Sequence, residues 1–279
     1  MTLELRATPE EVMRAVAALE EFARTQGVPE QVIFGLMLAL EECGSNIVNH
    51  ALKRDAARRL RVEFCRAGDT FVIRLRDGGP EFDPTTAQER KPQADGDDLP
   101  GGWGIQLVRR YMDEIRYKRE AGENVLRLTK RFGEATSANK VSWNSSERTK
   151  LEMPLEIQTQ KGTGANDAGT VTLKLTGSLD TATAPELERQ LAPLLSGPVK
   201  DVVFDLAQLK FISSAGLRVF SSTRKTLKER GGQASFIHMQ PQIREVFEIM
   251  KSLPGVAIFK DLAELDEYLA ARQRSRIQQ

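Results

Sequence analysis

The alternation of apolar and polar positions divides the chain into two stretches of different rhythm. The first predicts a short strand over about 2–6, a helix over about 8–26 broken at Gly27 and Pro29, and a second helix over about 29–53. Period-two alternation then predicts strands near 59–66 and 70–77, joined by Ala67-Gly68-Asp69. A second strand pair, near 114–119 and 124–131, turns at Ala121-Gly122. Between the pairs lie a Gly/Pro/Asp-rich loop over 78–102 and a helix from about 103 to 112. Runs of antiparallel strands with helices on one side predict an α+β two-layer sandwich.

After the polar, aperiodic stretch from Gly133 to about Met153, strands are expected near 155–160 and 170–176, followed by a helix opening at Thr183 with capping-box spacing to Glu186. The apolar strand Asp201 to Leu206 leads into a helix over about 215–229 that stops at Gly231-Gly232. A strand (233–238), a helix (241–250), a strand (256–259) and a helix (261–272) complete the pattern. Strands alternating with helices predict a mostly parallel sheet, hence an α/β domain. The expected division is 1–133, a linker over 134–152, and 153–279. As a flexible coil that linker spans roughly 25 Å root-mean-square, which lets the two domains meet at an effective concentration of about a millimolar.

Composition narrows the classes. Lysine plus arginine (40) balances aspartate plus glutamate (39), so no global signature of nucleic-acid or membrane binding is present. No run of 18 apolar residues occurs, and Met1-Thr2-Leu3-Glu4-Leu5-Arg6 lacks the basic-then-apolar form of a signal peptide. Cys43 and Cys65 show neither metal-site spacing nor a disulfide framework. With His50 and His238 the only histidines, a His-rich metal site is excluded, as is a kinase that phosphorylates its own dimerisation-helix histidine. The expected location is the cytoplasm.

Three segments of the first stretch carry candidate chemistry. On the second helix, Ile33, Leu36, Met37, Leu40, Gly44, Ile47 and Val48 form an apolar stripe, with Glu42, Asn46 and Asn49 opposite. Glu42 and Asn46, one turn apart, can address one ligand: the amide oxygen suits Mg²⁺ and the carboxylate suits a proton from an attacking hydroxyl. The same spacing describes a solvated helix face. Asp77-Gly78-Gly79 ends a strand, where the carboxylate can accept from the exocyclic amine of adenine and the glycines let backbone pass close to a base. It also reads as an ordinary Asp-Gly turn. Pro100-Gly101-Gly102-Trp103-Gly104-Ile105 opens a helix, a setting that favours phosphates.

The order of these segments resembles the ATPase fold shared by gyrase, sensor histidine kinases and mismatch-repair ATPases, and within it the anti-sigma-factor serine kinases. The resemblance rests on Leu40-Glu41-Glu42…Asn46…His50, Asp77-Gly78-Gly79…Phe82-Asp83-Pro84, Gly102-Trp103-Gly104-Ile105…Met112-Asp113-Glu114 and Leu128-Thr129-Lys130. It implies ATP and Mg²⁺ as cofactors, Asn46 as metal ligand, Asp77 and Gly79 at adenine, Gly102 and Gly104 hinging a lid over the phosphates, Thr129 near the base, and Glu42 as general base toward serine.

In the second stretch, Phe211-Ile212-Ser213-Ser214-Ala215-Gly216-Leu217 carries an apolar strand into a helix start. Serines there read as helix N-caps, or as a phosphate site stabilised by the helix dipole. With Leu175-Thr176-Gly177-Ser178-Leu179-Asp180, the segment resembles the STAS domains of anti-sigma-factor antagonists. That resemblance implies Ser214 as phospho-acceptor with Asp180 nearby, and Ser213 stands where the antagonists often carry aspartate. The expected whole is an ATP-dependent serine kinase acting on a STAS serine, in cis or in trans, within a partner-switching pathway. Its partners would be a sigma factor, a STAS-domain antagonist or a second copy of the chain. The alternative is a non-catalytic nucleotide-binding switch or scaffold that regulates by protein binding alone.

Overall fold

In a computed structural model of the chain, residues 1–86, 103–133, 154–161, 169–250, 257–259 and 264 are described. They fall into two compact units. The linker expected over 134–152 and the helix expected over 261–272 lie outside the described residues, as do Gly101 and Gly102, save that 264 is helical.

The first unit contains β1 (Thr2–Arg6), α1 (Pro9–Thr25), α2 (Glu30–Asn46), β2 (Arg59–Ala67), β3 (Thr70–Asp77), α3 (Trp103–Tyr111), β4 (Glu114–Glu120) and β5 (Glu123–Arg131). Its sheet runs β1-β2-β3-β5-β4, antiparallel throughout. Thr8 caps α1, its hydroxyl accepting from the Glu11 N–H, with Pro9 in the first turn. Val12, Ala15, Val16, Leu19 and Ala23 then recur at helical spacing and are buried. One face of the sheet completes this core with Leu60, Val62, Phe64, Phe71, Ile73 and Leu75.

Helix α2 departs from the expected single apolar stripe. Every residue from Ile33 to Ser45 is buried, because α1 and α3 flank the helix and the sheet lies beneath it. By length and composition, Glu30–Ala51 is the one helix among the described residues able to cross a membrane, and 78% of its apolar window is buried inside the protein. Nor does the helix run unbroken to residue 53. After Asn46 it widens into a π turn over Ile47–Ala51, and two non-glycine residues in the left-handed region, Lys53 (φ 58°) and Arg54 (φ 56°), then end it.

The second unit contains β6 (Glu156–Lys161), β7 (Thr170–Leu179), α4 (Ala184–Ser196), β8 (Asp201–Ile212), α5 (Ser214–Glu229), β9 (Gln233–Ile237), α6 (Pro241–Met250) and β10 (Ala257–Phe259). The sheet runs β10-β9-β8-β7-β6, parallel except for the β6–β7 pair. Strand β8 continues six residues past the expected Leu206, delivering Ser213 directly to the mouth of α5. Thr183 precedes α4 but does not form the expected capping box. Its hydroxyl turns back to the Ser178 carbonyl (2.8 Å) and accepts from the Asp180 N–H (2.9 Å).

The core of this unit is aromatic. Phe204 and Phe236 stack with centroids 5.2 Å apart, while Phe220 lies 4.7 Å from the first and 5.0 Å from the second. Phe236→Ala should therefore destabilise this unit by about 3–5 kcal/mol. Urea unfolding should show a lower midpoint for the second unit and an unchanged one for the first.

Candidate functional site

In the first unit, α2 is the element against which the candidate residues meet. Glu42 is buried on it and faces the start of α3. A Cβ built on Gly104 would overlap Oε2 of Glu42, so the third glycine box admits the carboxylate of the first only because it lacks a side chain. The last residue of the π turn meets the second box in the same way. A Cβ on Gly79 would lie 2.8 Å from Ala51 Cβ and 2.7 Å from Asp77 Oδ1. Widening the helix by one residue thus seats its end on the Asp-Gly-Gly turn.

Asp77 ends β3 with its carboxylate buried, Oδ1 accepting from the Gly79 N–H at 2.8 Å. Asn46, at the α2–π junction, is exposed and makes no side-chain hydrogen bond among the described residues, so its amide oxygen is available to a hard cation. Asn49 does not share that freedom, because Arg54 Nε donates to its Oδ1 at 2.6 Å. Cys43, buried beside Glu41 and Glu42, has its thiol pushed up by burial first and by those carboxylates next, which leaves it unreactive. These residues fit a nucleotide with its metal: a glycine cradle, a carboxylate with one oxygen uncommitted to protein, and a free amide oxygen.

Thr129 is not among them. It pairs with Val72 on β3, five residues before Asp77 and so on the opposite face of the sheet, roughly 17 Å along the strand. Its hydroxyl is buried without a partner among the described residues. The Leu128-Thr129-Lys130 segment has a structural explanation instead: the Thr129 carbonyl accepts from the Asp113 N–H, and Asp113 pairs with Lys130 Nζ at 3.0 Å. The residue directly opposite Asp77 is Asn124, whose amide donates to Asp77 Oδ1 at 3.0 Å. Sequence reading passed over Asn124, whose one local signal is its place two residues after the Ala121-Gly122 turn. Gly102 lies outside the described residues.

In the second unit, Leu179 and Ile212 are register partners and the Ser213 N–H donates to the Leu179 carbonyl at 3.0 Å. Asp180 and Ser213 therefore leave neighbouring strands side by side. Ser213 is the N-cap of α5, its hydroxyl accepting from the Ala215 N–H at 3.2 Å. Ser214 is the first helical residue and is only 7% exposed. A Cβ on Gly216 would lie 2.6 Å from Leu179 Cγ, so a glycine lets the helix start close against β7.

Asp180 accepts from the Ala182 and Thr183 N–H groups at 2.8 and 3.0 Å, yet burial outweighs these bonds and pushes its carboxyl up from the usual range. A raised carboxyl favours the protonated form in the folded protein. Its stabilising contribution is therefore complete at acid pH, below the unfolded value, and is lost as pH rises through the folded value. Asp180→Asn keeps an acceptor oxygen and cannot ionise. Calorimetry should find its thermal midpoint above that of the unsubstituted protein at about pH 7, with the advantage gone near about pH 4.

Known proteins match the two units separately. Residues 5–130 match the histidine kinase-like ATPase domain and residues 156–265 the STAS domain. Over 139 residues, 48% of this chain and 88% of the relative, the chain is 32% identical to the serine-protein kinase RsbW of Listeria monocytogenes. Over 77 residues, 28% of this chain and 71% of the relative, it is 31% identical to an anti-sigma-B factor antagonist of Staphylococcus aureus. Among solved structures, the anti-sigma factor antagonist SpoIIAA in its unphosphorylated form covers 40% of this chain and 96% of its own, at 18% identity and a TM-score of 0.35. By its first unit the chain belongs to the family of the serine-protein kinase RsbW, and by its second to that of the STAS-domain anti-sigma factor antagonists.

Proposed function

We propose that this protein is a partner-switching regulator whose first unit phosphorylates a serine of a STAS domain. The observation that carries the reading is the packing of the Glu42 carboxylate on Gly104, which brings a proton acceptor to the start of α3, where phosphates would be held. Bound ATP with Mg²⁺ supplies the transferable γ-phosphoryl group and neutralises its charge. Asn46 ligates the metal, Asp77 accepts from the adenine amine, and Gly79 lets the base approach the turn. Glu42 takes the proton of the attacking serine hydroxyl as its oxygen bonds to phosphorus and the bond to the departing ADP breaks.

The acceptor we assign is Ser214, in this chain or in a second copy, or the equivalent serine of a separate antagonist. Ser213 is committed as the cap of α5, whereas Ser214 opens the helix, where a phosphate would add roughly two negative charges beside buried Asp180. That charge would change which partner, sigma factor or antagonist, the surface holds. The division at 1–133, 134–152 and 153–279 then separates enzyme, tether and substrate or docking module, all in the cytoplasm, where ATP is available. A second reading is favoured by the burial of Ser214: the STAS unit docks the chain onto a larger complex and is never phosphorylated, with the first unit binding nucleotide only.

Two experiments separate these readings. Glu42→Gln should keep ATP affinity within a few-fold and lower phosphoryl transfer to a STAS substrate by about 10²–10⁴-fold. Transfer at the unsubstituted rate would remove Glu42 as the base, and no transfer by the unsubstituted protein to any STAS domain would leave the binding reading. After incubation with Mg-ATP, peptide mass spectrometry should place phosphate on Ser214 and find none on a Ser214→Ala chain. Phosphate on Ser213 would overturn the assignment.

A further inference from the structure

Asp77 sits in a hydrogen-bond network that reaches across three strands. Its Oδ1 accepts twice, from the Gly79 N–H at 2.8 Å and from Asn124 Nδ2 at 3.0 Å. Its Oδ2 has no hydrogen-bond partner among the described residues, so it is the oxygen left for a ligand. The orientation of the Asn124 amide follows from chemistry. Its Oδ1 lies 2.6 Å from Arg119 Nη1 and 2.8 Å from the Tyr117 hydroxyl. A guanidinium only donates, so the atom facing it must be the oxygen. The NH₂ group must then face Asp77, and it also reaches the Pro80 carbonyl at 2.9 Å. Arg119 closes the network by donating to the carbonyls of Gly79 (3.1 Å) and Gly122 (2.7 Å).

We infer that Asn124 is a positioning residue that sets nucleobase specificity, an inference that rests on Asp77 reading the base. Oriented by Arg119 and Tyr117, Asn124 occupies Oδ1 of Asp77 and ties down the Gly79-Pro80 turn. The carboxylate cannot rotate, and it presents one acceptor, Oδ2, to the 6-position of a purine. A 6-amino group donates to that acceptor. A 6-oxo group sets lone pair against lone pair in a buried site, where an unmet acceptor is costly. The network thus selects 6-amino over 6-oxo purine nucleotides.

The test compares Mg-ATP with Mg-ITP, which carries a 6-oxo group, by titration calorimetry on the full chain. The unsubstituted protein should prefer ATP. Asn124→Val removes the donor and should lower the ATP/ITP affinity ratio on the order of tenfold, with ITP affinity held by the phosphates. Asn124→Thr has the shape of valine but keeps a hydroxyl donor, and should hold the ratio within about threefold of the unsubstituted value. Tyr117→Phe with Arg119→Met leaves Asn124 in place, frees its amide to turn, and should lower the ratio even if the valine variant fails to fold. Equal ratios for the valine, threonine and unsubstituted proteins would overturn the inference, as would equal losses in valine and threonine, which would make the residue a packing element. Failure of the underlying reading looks different: the unsubstituted protein shows no preference, or Asp77→Asn retains it, and both proposals then fall together.

Discussion

The first unit is organised by close approach to a buried helix. Helix α2 is covered on all sides, and at two points something without a Cβ must touch it or its continuation: Gly104 against Glu42, and Gly79 against Ala51. Close packing makes such contacts all-or-none, since an added methyl group has no void to enter. The same two contacts fix where the Glu42 carboxylate, at the start of α3, and the Asp77 carboxylate, at the Asp-Gly-Gly turn, stand relative to α2. A site assembled this way owes its geometry to the core, which is the arrangement that phosphoryl transfer needs, because positioning and electrostatics supply nearly all of its catalysis.

How far the sequence disclosed this depended on whether a feature was local. The strands of the first unit and the Ala67-Gly68-Asp69 turn follow from period and turn chemistry, and they stand within a residue of where the pattern puts them, whereas β7 and β8 run past their expected ends. The π turn did not show, because it ends the helix and leaves no following turns in which the phase shift of one extra residue could appear. The solvated-face alternative for Glu42 fails for a related reason: helical periodicity reports one apolar stripe, whereas Glu42 on the opposite side is met by Gly104 of α3, which arrives from a distant part of the chain. The misplaced Thr129 is a matter of register. Strands β3 and β5 are neighbours in the sheet but not in sequence, so no turn between them sets their alignment, and an odd offset of five residues puts Thr129 on the wrong face. Thr183 shows the limit of motif spacing, since a side chain with two available partners takes the one that the tertiary fold brings to it.

The second unit places opposing demands on a few atoms. Helix α5 needs a cap, and Ser213 provides it in full burial. The next residue, Ser214, is nearly as buried, and the neighbouring Asp180 has a carboxyl that burial drives toward its neutral form. In this state the helix mouth is closed, with Asp180 and Ser213 both accepting from backbone N–H groups. A phosphate on Ser214 would bring to that mouth a charge that buried surroundings do not accommodate without exposure to water or a partner's donors. Modification and surface change would then be a single event: the phosphorylated mouth must open or be covered. That coupling suits a switch that works by exchanging partners. It also makes access to Ser214 the step to be explained in any transfer reaction, since this residue, only 7% exposed, must leave its packed position before a base can take its proton.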